Sequence, residues 1–110
     1  MSFETNSNNE IAQLVENESA VLVYFYNNNC APCISLRPKV EALVSSSFPL
    51  MKLVFVNSEE NPAIPASYNV FSNPTLIIFL EGKEYRRDSK YISIPQLSEA
   101  IERPYNMIFE

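Results

Sequence analysis

Two thiols stand two residues apart in Cys30-Ala31-Pro32-Cys33, and their neighbours decide what they can do. The apolar run Val21-Leu22-Val23-Tyr24-Phe25-Tyr26 precedes them, and a segment of helical periodicity, Ile34 to Val44, follows. A buried strand therefore hands over to a helix at the cysteines, with Cys30 at or beside the helix cap. Unpaired N–H groups and the positive end of the macrodipole favour an anion at that place. The thiolate, not the thiol, attacks disulfides. Cys33, one turn further in, lies on the same side of the helix, near enough to close an intramolecular disulfide. Pro32 suits the first turn, where an N–H has no partner anyway and the ring presets φ. Cys30 reads as the attacking nucleophile and Cys33 as the resolving thiol.

Other uses of two cysteines weigh less. With Cys30 and Cys33 as the only cysteines and no histidine, neither a four-cysteine nor a mixed cysteine–histidine zinc site can be completed within one chain. No metal and no organic cofactor is expected. An incidental pair or a structural disulfide stays open on the motif alone, but the strand before and the helix after favour redox chemistry.

A length of 110 residues with 46% hydrophobic content suits one compact domain, residues 1–110. A net charge of −5 argues against nucleic acid, whose backbone needs clustered Lys and Arg. Met1-Ser2-Phe3-Glu4-Thr5-Asn6 has no basic and apolar signal pattern, and no apolar run approaches membrane-spanning length. A cytoplasmic monomer without a membrane partner is expected, and thiols in a reducing compartment suit a cycling pair better than a staple.

The elements that must position the cysteines follow in order. Asn6-Ser7-Asn8-Asn9 offers N-caps for a helix over about 8–17, with Ile11, Leu14 and Val15 on one face. Residues 21–26 form a central strand, and Ile34, Val40, Leu43 and Val44 line the core side of the next helix, which Pro38 should kink near Arg37. Residues 51–57 form a second buried strand, parallel to the first through a helical crossover. Glu59-Glu60-Asn61-Pro62 opens a short helical stretch to Tyr68, the two glutamates serving its positive end, with Asn69 as a left-handed cap. Asn73 to Leu80 is a strand with Pro74 at its threshold, and Glu81-Gly82-Lys83 turns it into an antiparallel partner over 84–90, where Arg86-Arg87 beside Asp88 reads as a solvated face. Ser93-Ile94-Pro95-Gln96 is a capping box, and the last helix, with Leu97, Ala100 and Ile101 inward, should stop at Pro104. Ile108 or Phe109 is expected to pack back on the domain.

Over roughly residues 8–103 this order resembles the thioredoxin family. The resemblance is carried by Cys30-Ala31-Pro32-Cys33 after an apolar strand, Pro38 beyond it, Asn61-Pro62 before a short helix, and Pro74-Thr75 opening the hairpin. It implies an α/β thioredoxin fold: a central mixed sheet of about four to five strands, helices on both faces, and a C-terminal hairpin and helix. It also implies that Pro74 is cis, that the backbone of Asn73 pairs with an extended substrate segment, and that Ala31, Pro32, Asn73 and Pro74 meet the substrate. The partners would be a protein disulfide and an upstream dithiol reductant.

Departures from the family pattern matter as much. Tyr24 and Phe55 stand where the family usually has a buried aspartate and a lysine, and Asn29 and Ala31 where it usually has tryptophan and glycine. With Ser58, Ser72, Ser89, Lys90 and Tyr91 also expected around the thiols, the docking surface reads as mostly polar, which suggests a narrow set of partners and slow resolution of mixed disulfides. A thioredoxin-fold binding module with incidental cysteines, or an interaction switched by disulfide closure, are the competing readings.

Overall fold

A computed structural model describes residues 2–110. Nine elements follow one another: β1 (Ser2–Glu4), α1 (Asn8–Asn17), β2 (Ala20–Tyr26), α2 (Ala31–Ser47), β3 (Lys52–Asn57), α3 (Ala63–Ser67), β4 (Thr75–Leu80), β5 (Lys83–Ser89) and α4 (Ile94–Phe109). The sheet order is β1-β3-β2-β4-β5, parallel from β1 through β2 and antiparallel beyond. This is the mixed sheet with flanking helices that the resemblance implied. No helix among the described residues is long and apolar enough to cross a membrane.

The two-residue period of β2 sorts the core into two layers. Ala20, Leu22 and Tyr24 join Val40, Leu43 and Val44 of α2 and Leu97 and Ile101 of α4. Val21, Val23 and Phe25 point the other way, to Ile11 of α1 and Ile64 of α3. A strand covered on both faces cannot alternate with polar residues, which is why 20–25 are apolar throughout.

Local chemistry sets the junctions. Ser7 caps α1 by accepting the Glu10 N–H, and Ser93 caps α4 by accepting that of Gln96. The hairpin turns on Glu81 and Gly82 at φ 52° and 82°, both left-handed, with Leu80 paired to Lys83. Asn69 is left-handed after α3, as expected.

One strand went unread and four readings are corrected. β1 pairs with β3, Phe3 opposite Val54, yet three residues are too few to show a pattern. Ile34 is exposed (64%) because the buried stripe of α2 runs through Cys33, Val40, Leu43 and Val44. Glu59 and Glu60 do not start a helix; the Asn57 side chain accepts both their N–H groups, and α3 begins at Ala63. Arg86 and Arg87 are engaged rather than solvated: Arg86 pairs with Asp88, and Arg87 with Glu84 and with the Tyr68 and Asn69 carbonyls after α3. Finally, α4 continues through Pro104. The proline has no N–H for the Ala100 carbonyl one turn back, and the Tyr85 hydroxyl donates to that carbonyl instead, at 3.2 Å. Tyr105 then buries its ring against Phe48, and Ile108 and Phe109 pack on the core.

Candidate functional site

β2 ends at Tyr26, and an asparagine turn carries the chain to the cysteines. The Asn29 N–H donates to Asn27 Oδ1 at 3.0 Å, and Asn57 Nδ2 at the end of β3 donates to Asn28 Oδ1 at 3.0 Å. Asn57 is buried, so this bond satisfies a polar group that burial would otherwise penalise. The loop is thereby fixed to two adjacent strands.

Cys30 is the N-cap of α2, with extended backbone (φ −102°, ψ 99°), and Ala31 and Pro32 follow in the first turn. Cys30 and Cys33 are joined as a disulfide across a Cα–Cα distance of 5.2 Å. Their surroundings differ. Cys30 is half-buried while Cys33 is 1% exposed, and Ala31 and Pro32 are exposed between them. The Cys33 N–H points at Cys30 Sγ, 3.2 Å away. A thiolate at Cys30 would find there a first-turn donor and the positive end of a 17-residue helix.

Beneath the pair lies Tyr24, fully buried, whose hydroxyl donates to the Cys33 carbonyl at 2.9 Å. Burial pushes this phenol up to about 12, against a smaller pull from the Arg37 charge. Its ring meets Phe55 edge-on at 5.6 Å. Over the face of Phe55, where the resemblance leads to a lysine, sits the Arg37 guanidinium at 3.8 Å, and the Tyr26 ring lies 5.1 Å from the same group. Glu4 completes the cluster, bridging Arg37 at 2.6 Å and accepting from the Tyr26 hydroxyl at 2.8 Å. A cavity of about 240 Å³ opens here, lined by Cys33, Ile34, Arg37 and Glu41 among others. Sequence reasoning missed Glu4 and Arg37. Arg37 sits one turn after Cys33, which was a readable signal, but its partner on β1 was not.

The other wall is the start of β4. Antiparallel pairing sets Phe25 opposite Thr75, which brings the Asn73–Pro74 loop to the end of the sheet where β2 delivers the cysteines. The Asn73–Pro74 bond is cis, Pro74 is buried and Asn73 half-buried. Ser58 donates to Asn73 Oδ1 at 3.2 Å, Thr75 to the Ser72 carbonyl at 2.7 Å, and the Lys90 N–H to the Pro74 carbonyl at 2.8 Å. The six residues singled out in the sequence thus belong to one end of the sheet. The surface there is less polar than expected: Ile34, beside Cys33, and Tyr91, across a groove from Pro32, are exposed by 64% and 96%.

The thioredoxin family profile matches residues 2–103. A thioredoxin of Porphyra purpurea is 34% identical over 84 residues, covering 76% of this chain and 77% of that protein. A thioredoxin-like protein of Bacillus subtilis, YdfQ, is 24% identical over 97 residues, covering 88% and 86%. Among solved structures, the Fasciola hepatica thioredoxin superposes with a TM-score of 0.80 at 30% identity, covering 91% of this chain and 96% of that one. A mutant thioredoxin of Halobacterium salinarum gives 0.82 at 26% identity, covering 92% and 88%.

Proposed function

Because the chain belongs to the thioredoxin family, we propose that it reduces disulfides in a narrow set of proteins with the Cys30–Cys33 dithiol. The Cys30 thiolate attacks one sulfur of a substrate disulfide. That bond breaks, a mixed disulfide forms on Cys30, and the displaced substrate sulfur leaves as a thiolate that takes up a proton. Cys33 then gives up its proton and attacks Cys30 Sγ. The Cys30–Cys33 bond closes and the second substrate sulfur leaves as a thiol. Two electrons have passed to the substrate, and an upstream dithiol restores the chain by the same exchange in reverse.

The asymmetry of the pair carries this reading. An attacking sulfur must be reachable and a resolving sulfur sheltered, and Cys30 at the cap is half-buried while Cys33 is 1% exposed. Exposed Ala31 and Pro32 would meet the substrate, and the Asn73 backbone beside Pro74 would pair with its extended segment. Asn29 and Ala31 in place of the family's usual tryptophan and glycine support a restricted clientele. The chain would work as a cytoplasmic monomer.

A docking module that keeps the fold without turnover is the second reading, favoured by the buried Tyr24 where the family has an acid. Equilibration in graded dithiol buffers, with free thiols trapped for mass spectrometry, separates the two. A potential near about −270 mV supports a reductase, and one of roughly −120 to −180 mV an oxidant or isomerase. Failure to form a reversible disulfide replaces the enzyme with the module. Cys30→Ser should abolish exchange while leaving the fold intact.

A further inference from the structure

A groove of about 400 Å³ begins at Pro32, between the thiols. Leu36 and Lys39 of α2 form one wall, and Lys90, Tyr91 and Ile92, between β5 and α4, form the other. It is lined by two cations and no acid, in a chain whose net charge is −5. Among the described residues neither lysine has a salt-bridge partner. Asp88, the acid beside Lys90 in sequence, is held through both oxygens by Arg86 at 2.7 and 3.1 Å.

The lysine on the loop is held in an unusual way. Lys90 has φ 65°, the left-handed region that glycine enters freely and an L side chain does not. Its N–H donates to the Pro74 carbonyl at 2.8 Å, so its place relative to the Asn73–Pro74 loop is fixed. Tyr91 follows with 96% of its surface exposed. The backbone thus sets a charged side chain on the rim of the groove that begins at Pro32.

We propose that this groove is a specificity site for a protein segment carrying acidic residues beside its disulfide cysteine, with Lys39 and Lys90 meeting the carboxylates and Tyr91 an adjacent apolar side chain. The inference rests on the exchange reading above. A substrate strand laid along Asn73 would run past Lys90 into the groove, so the charges flanking the cysteine would be sensed before Cys30 attacks.

The test uses the full chain and three synthetic peptide disulfides that differ only in flanking Glu, Gln or Lys. In single turnover with the reduced chain, each reaction yields oxidised chain and peptide thiols, with no other reductant needed. Two exposed ion pairs should make the Glu peptide react about tenfold faster than the Gln peptide at low salt. Lys should be slower still, and the preference should collapse near 1 M salt, where the screening length is about 3 Å. Lys39→Gln and Lys90→Gly should each remove about threefold of it. Lys90→Gly suits the left-handed backbone, so misfolding cannot account for its loss. Binding of the same peptides with serine replacing cysteine reads the groove without chemistry. If no peptide is reduced but the Glu peptide binds best, the exchange reading falls and the groove stands. Equal binding of all three peptides, equal rates where all three are reduced, or a preference that survives the double variant, overturns the proposal.

Discussion

Replacing Tyr24 by phenylalanine separates two roles for the phenol beneath Cys33. The hydroxyl lies 2.9 Å from the Cys33 carbonyl, in a side chain with no exposed surface. Its pKa of about 12 leaves roughly one molecule in 10⁵ ionised at pH 7, too few for a base that must take the Cys33 proton. Its contribution is therefore a hydrogen bond. Tyr24→Phe keeps the ring against Phe55 and opens no cavity, so the loss is about 1 kcal/mol for one bond, or about 4 °C in Tm for a domain of this size. The resolving step should be unaffected. A coloured thiol preformed as a mixed disulfide on Cys30 and followed by stopped flow should leave within about twofold of the wild-type rate, with the same profile between about pH 6 and 9. A rate that falls more than about tenfold, or an inflection that disappears, would refute the argument and restore Tyr24 as a proton acceptor. Unchanged stability would refute the hydrogen-bond half.

Two further outcomes follow from the packing. Tyr85→Phe should cost about 1 kcal/mol in urea denaturation, because the Ala100 carbonyl loses its donor. In a Pro104→Ala background the cost should vanish, since the new N–H serves that carbonyl; equal costs in both backgrounds would sink the account of α4. Burial raises the phenols of Tyr24, Tyr26 and Tyr68, so the folded chain holds these protons more tightly than the unfolded one. Their contribution is whole below the ordinary phenol value of about 10 and is lost as pH rises through the raised values, that of Tyr24 near 12. Denaturation midpoints should fall above about pH 10, and a midpoint that rises there would contradict the burial.

Cys30-Ala31-Pro32-Cys33 between an apolar strand and a helical pattern located the redox pair, because capping and the strand-to-helix handover are local in sequence. The apolar runs at 21–26, 51–56 and 75–80 identified the central strands, and Gly82 the hairpin, since buried strands and left-handed turns leave signatures within a few residues. These features were determined by the sequence alone.

Contacts between distant residues were decided only in three dimensions. Pro104 read as a helix stop because its missing N–H is visible in sequence, whereas the replacement donor, Tyr85, arrives from another element. Ile34 read as core until the cap at Cys30 set the rotation of α2 and turned it outward. Glu4 carried no signal in the sequence, yet pairing of β1 with β3 places its carboxylate on Arg37, above the ring of Phe55. Local propensity names the elements; which donor fills an orphaned carbonyl, and which charge lies near a thiol, depends on partners tens of residues away that only the closed sheet brings together.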